Sequence, residues 1–298
     1  MHGRSQNILA SFVERFGPFV TVWSCMSLSR SQIDKLGDRL RKAEVPSNED
    51  LVRYEEMLPQ YAPAFELVKQ VCADLDLVIT TRFPKTAGTL VEKLKRESAR
   101  LSQVQDIAGI RVLVDGDRSD QDAVVDALKG EFRSAGHEVT VFDRRENPSH
   151  GYRAVHVIPV IERVPVEIQV RTTLQDMWAN TMERFADIYG RQVRYGEPPD
   201  EPDRLVGPGA PETIGSLHEL IISVADAADM LETADQLHET EPSQVFDLDD
   251  SELDELGLEP SEFEALRGQE IGQVLETLRG SLQDLLRRLY AIVEKLDA

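Results

Sequence analysis

Acidic, amide and basic side chains alternate with apolar ones in one short stretch of this chain. The stretch is VPVEIQVRT, residues 164–172, and its period of two predicts a β-strand. The strand period puts Glu167, Gln169 and Arg171 on one face. A carboxylate beside an amide and a guanidinium can accept a proton or hold a cation, so this face is a candidate reaction centre. A solvated strand face would show the same alternation.

A run of basic residues follows an earlier predicted strand. TRFPKTAGTLVEKLKRE contains Arg82, and then Lys85, Lys93 and Arg96 at near-helical spacing. If the helix begins near Lys85, these side chains line one face, and positive charge at the start of a helix suits a polyphosphate. Taken alone, the run is equally typical of a solvated basic face.

Two further clusters lie at predicted strand ends. In QDIAGIRVLV, Asp106 precedes the strand 109–114 and Arg111 lies within it, although a lone Asp there is also typical of a turn or a helix cap.

In FDRRENPSHGYRAVHV, Gly151 and Tyr152 come just before a predicted strand. An aromatic ring among cations suits a nucleotide base and its phosphates, whereas edge packing is the alternative. The surrounding cations are Arg144, Arg145, Arg153 and His156.

Composition narrows the class of protein. The 298 residues carry a net charge of −21. Residues 197–298 hold 26 acidic and 6 basic residues, a net −20, which leaves 28 acidic and 27 basic residues, a net −1, for 1–196. Such an acidic region disfavours non-specific nucleic-acid binding. No apolar run approaches the roughly 20 residues of a membrane span, and two distant cysteines, Cys25 and Cys72, form no disulfide framework, so we expect a cytoplasmic protein.

The order of elements predicts an α/β (α+β) fold. Helices and strands alternate at first and strands then follow one another, which predicts a mixed sheet of about five strands flanked by helices, with a C-terminal helical extension. A final helix from about Ser261 should bury a stripe formed by Ile271, Val274, Leu278, Leu285, Leu289, Ile292 and Leu296. The expected divisions are a poorly defined segment 1–26, a main domain 27–195, a Pro/Gly linker 196–212 and an acidic helical region 213–298. Translation could start at Met1 or at Met26.

Taken together, the four clusters resemble the synthetase domain of the RelA/SpoT family. The resemblance runs from about Leu51 to Tyr195 and rests on the R…K…T…K..R run, DIAGIRV, NP…GY…H, and EIQVRT followed by Trp178. The helical lead-in IDKLGDRLRK and the later WANTMERFADIYGRQVRYG are more similar to the stand-alone small alarmone synthetases. The family has a nucleotidyltransferase-like synthetase fold. It moves the β,γ-pyrophosphate of ATP to the 3′-hydroxyl of GDP or GTP, which forms (p)ppGpp.

The resemblance implies a role for each cluster. Residues on the ATP side would be Arg82 and Arg111 at the adenine, and Lys85, Lys93 and Arg96 at the phosphates. Asp106 would hold Mg²⁺, and Glu167 would take the acceptor proton or share the metal. Residues on the acceptor side would be Tyr152 stacked on guanine, Gln169 orienting Glu167, and Arg171 and His156 in support. Small relatives assemble through C-terminal helices, which implies a homo-oligomer.

Two departures from the family pattern leave the acceptor open. Arg82 and Lys85 enclose two residues instead of one, and NPSHGY is one residue shorter than the usual segment and lacks its lysine, for which Arg144, Arg145 or Arg153 could substitute. The sequence therefore leaves three alternatives. They are an alarmone synthetase, a toxin that pyrophosphorylates the 3′ end of tRNA and carries a C-terminal inhibitory region, and a non-catalytic nucleotide sensor.

Overall fold

The structure is a computed structural model that describes residues 28–207, 209–240 and 260–297, with side chains described except at 239–240 and 260–270. The segment 1–26, with both candidate start residues, and the whole acidic stretch DLDDSELDELGLE lie outside this part of the chain. Within it, the elements run in the following order: α1 Arg30–Lys42, α2 Asn48–Met57, α3 Ala62–Asp74, β1 Val78–Arg82, α4 Ala87–Glu97, β2 Gly109–Val114, α5 Arg118–Ser134, β3 Glu138–Asp143, β4 Val155–Ile161, β5 Val164–Pro165, β6 Glu167–Thr172, α6 Thr173–Tyr189, α7 Ile214–Thr240 and α8 Pro260–Leu296.

Two compact units share these elements. The first contains the described residues up to Val112 together with Val124–Phe142 and His156–Val170. The second contains Leu113–Ala123, Asp143–Val155 and the described residues from Arg171 onward. Each unit therefore takes several stretches of the chain. The linear division into 27–195, 196–212 and 213–298 stays a prediction.

The six-stranded sheet has the order β1-β2-β6-β4-β3, with the short β5 paired to β4. β4 and β5 form an antiparallel hairpin whose two turn residues, Glu162 and Arg163, both have positive φ, as a type I′ turn requires. The middle strand of the order is β6, and it is buried along most of its length. Its alternating sequence therefore does not mark a solvated face, because Glu167 is 8% exposed and Arg171 only 2%.

The N-terminal helices of the first unit begin at well-formed caps. Ser29 and Gln32 make a capping box at α1, and the Ser47 hydroxyl accepts a hydrogen bond from the backbone N–H of Asp50 at α2. Pro59 lies in the break between α2 and α3, because proline has no backbone N–H to continue a helix. A 3₁₀ turn over Leu58–Tyr61 separates α2 from α3.

The second unit has its hydrophobic core where α6, α7 and α8 pack together. The stripe expected on the last helix is confirmed at Leu289, which is buried, and at Ile271, Ile292 and Leu296, which pack half-buried against this core. It is wrong at its other three positions. Val274, Leu278 and Leu285 are 57%, 51% and 36% exposed. The residues that α8 buries most deeply are Leu275, Leu286, Leu289 and Val293. Leucine stands at both 285 and 286, so spacing alone could not select the buried face.

The predicted fold class is confirmed. The chain has an α/β fold with a mixed sheet flanked by helices, and it ends in long C-terminal helices. Among the described residues, no helix is both long and apolar enough to cross a membrane.

Candidate active site

Asp106 lies between two lysines in the first unit. Its Oδ1 accepts a hydrogen bond from the Lys93 ammonium at 2.9 Å, and its Oδ2 is paired with the Lys85 ammonium. The three side chains are only 11–21% exposed. Two cations therefore converge on one carboxylate in a partly desolvated position, where charge interactions are stronger than in water.

Local backbone structure brings the two lysines together. α4 begins at Ala87 with Thr86 as its N-cap, so Lys85 precedes the helix and does not lie on its first turn. This corrects the expectation of a helix beginning near Lys85. The Lys85 backbone N–H donates to the Ile107 carbonyl at 3.0 Å, which fixes Lys85 next to the Asp106 segment. Lys93, two turns into α4, reaches the same carboxylate, whereas the Arg96 guanidinium lies 2.8 Å from Glu97.

Asp106 and Lys93 stabilise each other's charged forms. Burial opposes ionisation of Asp106, but Lys85 and Lys93 outweigh it and lower the pKa of Asp106 below its ordinary value. Burial likewise opposes the charge of Lys93, but Asp106 outweighs it and raises the pKa of Lys93. Asp106 is thus a carboxylate and Lys93 an ammonium group at neutral pH.

Glu167 is a second buried carboxylate in the first unit, and both of its oxygens contact neighbouring side chains. Its Oε1 lies 3.0 Å from His156 Nδ1, and its Oε2 accepts a hydrogen bond from Gln169 Nε2 at 2.8 Å. Its backbone N–H donates to the Ala108 carbonyl at 3.0 Å, which places the start of β6 beside the residue that precedes β2. Burial opposes ionisation, but the His156 contact and the Gln169 hydrogen bond outweigh it and lower the pKa of Glu167.

Asp106 and Glu167 lie close enough for their charges to interact. The charge of Asp106 acts on Glu167 against its ionisation, and the charge of Glu167 helps to raise the pKa of Lys93. Two ionised carboxylates fit a divalent cation of the Mg²⁺ type, which takes one or two carboxylates and completes its shell with phosphate oxygens and water. No group of three or more His, Cys, Asp or Glu side chains suited to a metal occurs among the described residues.

The shortened NPSHGY segment in the second unit closes as a tight turn. Ser149 and Tyr152 exchange two backbone hydrogen bonds, of 3.3 and 3.0 Å, around His150 and Gly151. Both turn residues have positive φ, 50° and 87°, as a type I′ turn requires. A Cβ at Gly151 would lie 2.7 Å from the Trp178 ring, so only glycine fits. The turn explains how the segment can be one residue shorter and still present Tyr152.

Tyr152 is held by Arg171 within the second unit. The Arg171 guanidinium lies 5.2 Å from the centre of the Tyr152 ring and donates to its hydroxyl at 3.3 Å. Arg171 also donates to Asp176 at 3.1 Å. A cation–π contact combined with a hydrogen bond restricts the ring, which suits an aromatic side chain that stacks on a base.

Two arginines proposed for the acceptor are paired with acids in the second unit. Arg145 binds Asp143 and Asp122, both at 2.6 Å. Arg153 lies 3.1 Å from Asp226 and 2.9 Å from Asp229 on α7. The remaining predicted cations are placed as follows: Arg144 is exposed just after β3, Arg82 is exposed at the end of β1, and Arg111 is half-buried in β2.

Sequence reasoning missed two groups of residues at these sites. One is Tyr54 of α2, whose hydroxyl donates to the Lys85 carbonyl at 2.6 Å, and nothing near it in the sequence indicates that partner. The other is an acidic row at every third position of α7, a spacing that is readable in DAADMLETAD. Its members are Asp226, Asp229, Glu232 and Asp235, which pair with Arg153, Arg118 and Arg279.

Comparison with known proteins assigns the central region. Residues 82–189 match the RelA/SpoT family, described as a region found in RelA and SpoT proteins. The match begins at Arg82 and ends at the last residue of α6, so it contains the Lys85–Asp106–Lys93 cluster, Glu167 and the Ser149–Tyr152 turn. The expected RelA/SpoT-type region is confirmed for these residues.

Two further comparisons found similar proteins. Uncharacterized proteins of Mycobacterium tuberculosis and Mycobacterium bovis are each 37% identical over 154 residues, 51% of this chain and 53% of theirs. The chain thus spans about half the length of these relatives. A GTP pyrophosphokinase family protein from Streptococcus pneumoniae is 23% identical with a TM-score of 0.46, over 66% of this chain and 99% of that one. Small alarmone synthetase 1 from Bacillus subtilis is 21% identical with a TM-score of 0.44, over 63% and 99%.

Proposed function

We propose that this protein transfers the β,γ-pyrophosphate of ATP to the 3′-hydroxyl of GDP or GTP, which forms (p)ppGpp-type alarmones. The observation that carries the proposal is the ionised Asp106 between Lys85 and Lys93, in one site with the ionised Glu167. This arrangement lies in the region that matches the RelA/SpoT family. It offers positive charge for a polyphosphate and a base for a hydroxyl group.

Each group has a chemical task in this reaction. The acceptor 3′-oxygen forms a bond to the β-phosphorus of ATP, the bond from that phosphorus to the α,β-bridging oxygen breaks, and AMP leaves. Glu167 takes the proton of the acceptor hydroxyl, and Gln169 and His156 hold the carboxylate in place. Lys85 and Lys93 neutralise the transferred phosphates, with Arg96 in support, while Arg82 and Arg111 bind the adenine side.

Asp106 and Glu167 would hold Mg²⁺. When bound, the cation neutralises phosphate charge in this class of chemistry. Lys85 and Lys93, which both contact Asp106, would lie beside the ATP phosphates that this cation neutralises. The raised pKa of Lys93 keeps its ammonium group charged there.

Tyr152 would stack on the acceptor base. Arg171 restricts the Tyr152 ring, which supports that role. Arg144 is an exposed cation at the start of the same segment and is our choice for the missing acceptor-phosphate lysine, because Arg145 and Arg153 are already paired with acids.

The test is to incubate the purified full chain with γ-labelled ATP, Mg²⁺ and either GDP or GTP, and to separate the nucleotides by chromatography. We expect label on a pyrophosphorylated guanosine nucleotide. Nucleotide binding without any labelled product would instead favour a sensor on the same fold and would overturn the proposal.

A second candidate function is pyrophosphorylation of the 3′ end of tRNA under internal inhibition. The observation that favours it is the pairing of Arg153 with Asp226 and Asp229, which belong to the acidic C-terminal region. An acidic helix that occupies an arginine can exclude a nucleic-acid phosphate from it. Against this candidate, residues 1–196 carry no basic surplus.

Charge neutralisation tests this candidate better than truncation after Gly207. Truncation would remove Ile214, Leu217 and Leu286 from the core that α6 shares with α7 and α8, and would unfold the unit. The double variant Asp226→Asn/Asp229→Asn leaves that core intact. Labelling of tRNA by this variant, but neither by the parent nor by the exposed control Glu276→Gln/Asp284→Asn, would favour the tRNA reaction.

A further inference from the structure

The segment that connects Arg82 to Lys85 is held at its end by three separate contacts within the first unit. The Lys85 backbone N–H donates to the Ile107 carbonyl at 3.0 Å, its side chain pairs with Asp106, and its carbonyl accepts a hydrogen bond of 2.6 Å from the Tyr54 hydroxyl. This is the segment with two enclosed residues, Phe83 and Pro84, where one is usual. The first of these, Phe83, packs against Phe65 of α3 with ring centres 4.9 Å apart.

Tyr54 is a buried and protonated hydrogen-bond donor to the Lys85 carbonyl. It is 2% exposed, and burial, together with the nearby Tyr61 and Asp106, raises its pKa, so its hydroxyl stays a donor over the physiological pH range. The helix that carries it is fixed by its own contacts, because Asp50 of α2 binds Arg39 of α1 at 2.6 Å. A rigid donor on a capped helix therefore defines where the Lys85 backbone lies.

We infer that Tyr54 is a positioning residue for Lys85 and that it adapts the longer Arg82–Lys85 segment to ATP binding. The inference rests on the proposed function, since it assumes that Lys85 binds ATP phosphates. The Lys85 side chain is only 11% exposed and is paired with Asp106, so it has little room to compensate for a shift of its backbone. Loss of the Tyr54 hydroxyl would leave the Lys85 carbonyl without this donor, and the segment could then shift.

The test is a double-mutant cycle read by ATP binding. Calorimetric titration with Mg²⁺ and an ATP analogue that has a methylene bridge between the α- and β-phosphorus would give a Kd without turnover. The full chain, Tyr54→Phe, Lys85→Met and the double variant form the cycle, and Tyr61→Phe removes another buried tyrosine hydroxyl as a control. We expect Tyr54→Phe to weaken binding about tenfold, Tyr61→Phe to change it by less than about twofold, and Tyr54→Phe to add nothing in the Lys85→Met background.

The outcomes separate this inference from the proposed function. If the parent binds the analogue and Tyr54→Phe binds it equally well, or if the losses of the two single variants add in the double variant, the positioning role is overturned while the proposed function stands. If the parent does not bind the analogue, both are overturned. Thermal unfolding of every variant would check the fold. Should Tyr54→Phe fail to fold, Phe65→Leu, which loosens the same segment through Phe83, completes the cycle with Lys85→Met.

Discussion

At the residue scale, the site depends on carboxylates that are buried and yet ionised. Asp106 is stabilised by two lysines, and Glu167 by His156 and Gln169, so each acid has partners that outweigh its desolvation. Such pairing is common in structural ion networks as well as in active sites. Substitutions that change charge but keep shape separate the two explanations.

Glu167→Gln should lower the transfer rate by about 100-fold or more, because the amide cannot accept the proton of the acceptor hydroxyl. The variant keeps the size of the side chain, so its thermal unfolding should stay close to that of the parent. Steady-state kinetics with ATP and GDP would measure the loss. The exposed Glu162→Gln is the matched control, and equal activity of both variants would remove Glu167 from the mechanism.

Asp106→Asn should reduce the free energy of unfolding by about 1–3 kcal/mol near pH 7, since it takes a charged partner away from two partly buried lysines. Folding lowers the pKa of Asp106, so its pairing adds stability above the unfolded value of about 4 and loses that contribution as the pH falls through the folded value. Denaturant titrations at several pH values should show the difference between parent and variant shrinking below about pH 4. A constant difference from pH 3 to pH 7 would contradict this assignment.

At the scale of elements, the sequence predicts where strands and helices lie better than it predicts which of their faces are buried. The strand 109–114 and a last helix from about Ser261 follow from local patterns, and the structure has both, as β2 and α8. The burial of both faces of β6 could not be predicted. It depends on β6 being the central strand of the sheet, and the local sequence does not determine the order of the strands. The Tyr54–Lys85 hydrogen bond joins residues 31 positions apart and has no local pattern.

The register of α8 gives a direct test at this scale. Leu286 is fully buried and its neighbour Leu285 is 36% exposed. Leu286→Ala should therefore reduce the free energy of unfolding by about 2–5 kcal/mol, and Leu285→Ala by less than about 1 kcal/mol. Denaturant unfolding of the two variants would measure both values. A larger loss at Leu285 would restore the stripe expected from sequence spacing.

At the scale of the whole molecule, charge and chemistry are distributed unevenly along the chain. The predicted reaction centre, Asp106 and Glu167, lies in the nearly neutral 1–196, whereas 197–298 carries a net −20. In the second unit, some of these acidic side chains form ion pairs. Asp229 and Glu232 contact Arg118, and Asp235 contacts Arg279. Acidic residues of α7 therefore stabilise their own unit as well as adding to solubility.

The proposed reaction removes a pyrophosphate group, and not a single phosphate, from ATP. The most direct measurement follows AMP and ADP by ³¹P NMR while the full chain turns over ATP and Mg²⁺ with GDP or GTP present. The proposed reaction predicts AMP in equal amount to a 3′-pyrophosphorylated guanosine nucleotide, formed only with the acceptor and about 100-fold or more slowly in Glu167→Gln. Formation of ADP in place of AMP, or AMP formation that is independent of any guanine nucleotide, would contradict it.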